Sequence, residues 1–117
     1  MELNRIIRTL KKHPDYNKMG MIASHLGVVR ETSLSGKKVE GIEIIFDRDV
    51  IDKIVNKTKA MEGIIEVIVE FNDGKLMVGD EIMAVVIGGD TREHVFPALI
   101  TAVDLIKLDG AKKKEFF

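Results

Sequence analysis

The chain has no cysteine, no tryptophan and no glutamine, and only 2 prolines and 5% aromatic residues. Without cysteine there is no disulfide scaffold, no thiolate metal site and no persulfide carrier. Long apolar runs are also missing. The longest, at residues 83–87 and 96–100, fall far below the ~18 residues of a membrane-spanning helix. The opening MELNRIIRTLKKH carries charges where a secretion signal has its apolar centre. These absences predict a cytoplasmic protein with no membrane partner. Charge of one sign is lacking too: 18 Lys and Arg face 19 Asp and Glu, so no global field draws in a nucleic acid. Any anion site must be local.

What is present suffices for a core. A chain of 117 residues buries roughly two-thirds of its unfolded surface, and a single domain over residues 1–117 is expected. Leu3, Ile6, Ile7 and Leu10 recur at helical spacing and stop before Pro14. Residues 19–29 and 39–46 read as strands, and the polar ETSLSGKK between them predicts that the two form a hairpin-like pair. From Asp47 the period changes to a helical stripe of Val50, Ile51, Ile54 and Val55, closed at Gly63. Residues 64–71 and 80–87 then predict an antiparallel pair across the turn signal Asn72-Asp73-Gly74.

Asp90 and Glu93 resemble a capping box for a last helix marked by Val95, Phe96, Leu99, Ile100, Val103 and Ile106. Pro97 predicts a tight first turn or a modest bend, and Gly110 marks the end. The tail AKKKEFF reads as flexible and basic. Helices alternating with strand pairs predict an α+β fold, a mostly antiparallel sheet with packed helices.

Three cations stand where elements end and side chains can turn into a cleft: Arg30, Arg92 and Lys107. Arg92, in the first turn of a helix, opposes the helix dipole, and such a placement invites a functional explanation. Lys112, Lys113 and Lys114 follow Lys107, and a mobile basic tail could fold over an anionic ligand. On composition alone, a lysine-rich end more often offsets a helix dipole and stays solvated. His13, His25 and His94 are scattered without metal-ligand spacing, Ser24, Ser33 and Ser35 have no identifiable base, and phosphate-binding and dinucleotide fingerprints are absent.

Over residues 20–115 the order of these pieces resembles the large, catalytic subunit of molybdopterin synthase, the MoaE family. The matching parts are Gly27-Val28-Val29-Arg30, the turn Gly74-Lys75-Leu76-Met77-Val78-Gly79-Asp80, the apolar strand after it, Arg92 with Phe96, Asp104 with Lys107, and Lys113-Lys114-Glu115. The resemblance implies an α/β hammerhead type of fold, a homodimer, and no cofactor. It further implies a sulfurtransferase whose partner is a ubiquitin-like small subunit ending in a Gly-Gly thiocarboxylate, with cyclic pyranopterin monophosphate as substrate. Carried over, Arg30, Arg92 and Thr91 bind the substrate anion, while Lys107 and either Lys113 or Lys114 are catalytic, as desolvated cations. This chain has Thr91 where the family usually has His, Phe71-Asn72 where it has His-Arg, Lys112 where it has an aromatic residue, and Gly110 in place of a proline. A non-catalytic relative, a dimeric module binding the pterin phosphate or a protein partner, is the alternative.

Overall fold

In the computed structural model, which describes residues 1–117, the chain runs through α1 (Leu3–Lys11), a 3-10 turn (Tyr16–Lys18), β1 (Met21–Val28), β2 (Gly41–Phe46), α2 (Arg48–Lys59), β3 (Ile64–Phe71), β4 (Gly74–Met77), β5 (Glu81–Gly89), α3 (Arg92–Leu105), a wide π-helical turn (Ile106–Gly110) and β6 (Ala111–Phe116). The fold is α+β, with two antiparallel sheets ordered β1-β5-β3 and β4-β2-β6.

The run at residues 83–87 does not alternate because β5 is the centre strand of its sheet and is covered on both faces. Met83, Val85 and Ile87 join the larger core with Ile51, Ile54, Val95, Ala98, Ala102 and Ile106 of α2, α3 and the wide turn. Ala84 and Val86 point the other way, where Ile6 and Leu10 of α1 pack with Ile22, Leu26 and Ile68. Burying a Leu or Ile side chain contributes about 1.5–3 kcal/mol, which fixes α1 on that face. Arg5 adds a forked ion pair to Glu70 of β3, at 2.6 and 2.7 Å.

The second sheet turns Ile42, Ile44 and Phe46 into the larger core and leaves Glu43 and Ile45 outside. The Phe46 ring stacks on Phe71 at 4.6 Å, and the Phe46 N–H donates to the Asp73 carboxylate at 2.7 Å, so the two sheets meet there. Asp47 caps α2, its carboxylate accepting from the Val50 N–H at 3.2 Å.

Four expectations need correction. The strands at residues 21–28 and 41–46 are not a hairpin: β1 pairs with β5, and β2 with β4 and β6. Alternation reports which face is buried, not which strand is the neighbour. The antiparallel pairing of β3 with β5 is as expected, but the chain between them detours through β4, which joins the other sheet. The basic tail is a paired strand, β6, hydrogen-bonded along β2 from Ala111 opposite Phe46 to Phe116 opposite Gly41. Finally, Asp90 and Glu93 form no capping box, because the Asp90 carboxylate accepts from the Thr91 N–H at 2.6 Å and pairs with His94. The helix α3 continues through Pro97, whose exposed position near the helix start leaves the unpaired carbonyl to water.

No helix is long and apolar enough to cross a membrane. Gly89 lies where α3 and the α2–β3 connection close on β5: a Cβ added there would stand 2.6 Å from Val95 Cγ2 and 2.7 Å from the Gly63 carbonyl oxygen. Backbone cannot step aside as a side chain can. Gly89→Ala is therefore expected to lower the unfolding free energy by about 1–3 kcal/mol in urea titrations. Gly27→Ala, whose new methyl would meet its nearest neighbour at 3.6 Å, should stay within about 0.5 kcal/mol of the parent.

Candidate functional site

Strand β1 presents Met21, Ala23, His25 and Gly27 to the larger core and Ile22, Ser24 and Leu26 to the opposite face. Helix α3 leaves β5 at Gly89, beside Met21, and returns along β1, so its last residues come down near His25. A bulge at Ile82 shifts the register after Gly27, where Val28 faces Glu81. Val29 is then held by two backbone bonds to the following turn, its N–H donating to Asp80 at 2.9 Å and its carbonyl accepting from Gly79 at 2.8 Å. This clamp ends the strand and releases Arg30 into solvent.

Lys107 follows Ile106 in the wide turn. Ile106 is fully buried and Gly110 is packed against Ile51, so the turn is anchored at both ends and Lys107, Leu108 and Asp109 are presented outward. Arg30 and Lys107 thus lie at the same end of the β1–α3 layer, and neither has an ion-pair or hydrogen-bond partner within the chain. Both are exposed, as are Lys112, Lys113 and Lys114. The expectation of desolvated cations is not met in the single chain, since nothing in it covers this end.

The register of β6 separates the tail lysines. Lys113 stands opposite Ile44 and shares its core-facing side, whereas Lys114 stands opposite Glu43 and Lys112 opposite Ile45 on the outer side.

Thr91 and Arg92 lie at the other end of α3, and Arg92 is fifteen residues before Lys107, which at 1.5 Å per helical residue is about 22 Å away. One chain does not bring the two groups together. Arg92 is 3.6 Å from Glu93, and both are exposed. Behind them His94 Nδ1 donates to the Asp90 carboxylate at 2.8 Å, with Glu62 at 3.8 Å from Nε2. The hydrogen bond from His94 holds the Asp90 carboxyl below its usual range, and the same bond raises the His94 imidazole above its usual value. Acidic groups therefore offset the cation at this end, in contrast to the free cations at the other.

A residue that the sequence left among scattered histidines belongs to this region. His25 Nε2 is buried without any hydrogen-bond partner, and its ring titrates below the ordinary value because of burial first and the Lys107 charge second. An unmade bond on a buried polar atom costs about 1–3 kcal/mol. The available signal was its place as the one polar residue among Met21, Ala23 and Gly27 on an inward face.

The architecture is that of the large-subunit class of molybdopterin synthase folds. It superposes on the molybdopterin synthase from Staphylococcus aureus with a TM-score of 0.80 at 19% identity, covering 100% of this chain and 85% of that one. The molybdopterin cofactor biosynthesis protein E from Burkholderia multivorans ATCC 17616 gives 0.79 at 26% identity, covering 98% and 80%. The complex of subunits 1 and 2 of molybdopterin-converting factor from Helicobacter pylori 26695 gives 0.73 at 13% identity, covering 100% and 84%. No curated protein matches the sequence. The family model described as MoaE protein matches residues 1–109, and the chain belongs to that family.

The Asp90–His94 pair makes stability depend on pH. A raised imidazole contributes fully below about 6.5 and loses its contribution as pH rises through the folded value, while a lowered carboxyl contributes above its ordinary 3.8 and loses it on further acidification. The thermal midpoint gap between the parent and Asp90→Asn is therefore expected to be widest between the ordinary values of 3.8 and 6.5, and to narrow as pH rises through the folded value of His94. Midpoints read by circular dichroism across that range check this.

Proposed function

We propose that the protein is the catalytic large subunit of a molybdopterin synthase. In this reading it transfers sulfur from the thiocarboxylate of a ubiquitin-like small subunit to cyclic pyranopterin monophosphate, in the cytoplasm. Membership of the MoaE family and the likeness to molybdopterin synthase structures support a role in molybdenum cofactor biosynthesis. The Helicobacter pylori complex of subunits 1 and 2 supports a small-subunit partner.

The observation that carries the finer reading is the pair of unpartnered cations, Arg30 and Lys107, at one end of the β1–α3 layer. The chain has no cysteine, so a sulfurtransferase built on it must receive its sulfur from another chain. The substrate phosphate and the carboxylate released with each sulfur both present negative charge, which Arg30 and Lys107 would stabilise. Each is exposed in the single chain. A partner tail laid over them would exclude the water that screens them, which strengthens that stabilisation.

Of the tail lysines we assign the second catalytic place to Lys113. It rises on the side of the second sheet that faces Ile106 and the end of α3, and Lys114 faces away beside Glu43. The wide separation of Arg92 and Thr91 from Lys107 supports a homodimer, in which the start of one copy's α3 would lie near Lys107 of the other. Between them Phe96 and Ile100, one turn apart, remain 49% and 62% exposed, apolar surface that such a contact would cover.

The test is single-turnover conversion of cyclic pyranopterin monophosphate, with a thiocarboxylated small subunit and fluorescent detection of the oxidised pterin product. Lys107→Ala is expected to slow the reaction roughly 100- to 1,000-fold. Lys113→Ala should cost more than about tenfold, and Lys114→Ala less than about twofold. Undiminished turnover in Lys107→Ala would sink the mechanism. Binding of pterin and small subunit without any product would identify a recognition module instead.

A further inference from the structure

Along the inward face of β1, Met21 stands opposite Gly89, Ala23 opposite Ile87, and Gly27 opposite Met83. His25 interrupts this apolar series opposite Val85, a residue with no exposed surface. Its Nε2 is the single buried side-chain nitrogen or oxygen in the protein that lacks a hydrogen-bond partner. The absence of a side chain at Gly27 leaves space beside that atom: a Cβ built there would be 3.6 Å from Nε2, so the polar edge of the ring lies along the strand toward Arg30. β5 offers this face only Met83, Val85 and Ile87, and α1 packs on the other side of the sheet. From α3 and the turn beyond it, Lys107 is the charged group that acts on the imidazole.

We propose that His25 is a positioning residue for Lys107, its neutral imidazole offering Nε2 as the acceptor that holds the lysine ammonium over the end of β1 when the site closes. This rests on the reading of Lys107 as catalytic. A lysine on an exposed turn explores many rotamers, and a fixed acceptor beside it selects the few in which the ammonium meets the reacting groups. Such bonds are commonly unmade in the unliganded protein and tighten around substrate. The acceptor must be neutral, and burial together with the Lys107 charge keeps the ring below its ordinary 6.5. Protonation in acid would set two cations against each other.

Nitrogen-15 NMR of His25 in the intact protein tests the pairing without any need for turnover. The expected tautomer carries its proton on Nδ1 and leaves Nε2 free to accept. Lys107→Met, which keeps an unbranched chain and removes the charge, should shift the Nε2 resonance and raise the His25 titration midpoint. A proton on Nε2 at neutral pH, or a His25 signal indifferent to Lys107→Met, would overturn the proposal.

In the sulfur-transfer assay, His25→Phe should lower kcat roughly 10- to 100-fold, with KM within about twofold of the parent. His25→Gln, whose amide oxygen reaches the place of Nε2, should recover most of the loss. Equal losses in both variants would assign His25 to packing alone. A parent protein that makes no product would refute the functional reading, while the tautomer and the response to Lys107→Met would still decide the pairing.

Discussion

Much of the molecule follows from the demand that β5 be dry on both faces. With water excluded above and below, its residues must be apolar or small, and its backbone must be fully hydrogen-bonded to β1 on one side and β3 on the other. The same demand explains the adjacent glycines at its end. Gly88 receives Met19 and Leu10 from the α1 side, and Gly89 receives Val95 from α3. Because α3 is seated so closely at Gly89, the direction in which it crosses the sheet is set at its first turn. A helix that begins beside Met21 and returns along β1 must end near His25. The place of Lys107 is thus a consequence of packing at the opposite end of the helix.

The two ends of α3 differ in charge economy. At its start Arg92 opposes the helix dipole and is offset by Glu93, with Asp90 and Glu62 close behind around His94. At its finish Lys107 stands where the dipole favours a cation and has no acidic partner. A charge stabilised by backbone dipoles and free of a counter-ion is available to an incoming anion, because binding need break no existing ion pair. Arg30 is in the same condition for a different reason: the clamp of Val29 on the 79–80 turn directs the next side chain outward.

The sequence made the helices legible and obscured the strand partners. Period alone located α1, α2 and α3, since a helix is stabilised by residues three and four apart along the chain. Pairing in sheets is non-local, so residues 21–28 and 41–46 suggested a hairpin although each strand finds its neighbours elsewhere. Strand β4 has four residues and no apolar rhythm, and it was hidden inside a turn signal that was real but served a longer detour. Strand β6 was concealed by its lysines, because its pairing depends on the open edge of β2. At the site, Arg30, Arg92 and Lys107 could be selected as element ends, and the spacing of Arg92 and Lys107 already put these two at opposite ends of one helix. That Arg30 shares the Lys107 end could not be seen until the direction of α3 along β1 was known. His25 was visible as a polar residue in an apolar alternation. That its Nε2 is sealed, and that the Lys107 charge reaches its ring, depended on the packing of distant parts of the chain.

The order β4-β2-β6 leaves β6 with an unpaired side, a row of backbone donors and acceptors on which another strand could grow. Lys112, Lys113 and Lys114 occupy the middle of that edge. Two copies meeting there in antiparallel fashion would stack like charges against one another, while a strand carrying acidic residues would meet none of this repulsion. The lysine triplet therefore discourages this edge from templating aggregates of its own kind: its charges make the strand a poor partner for itself.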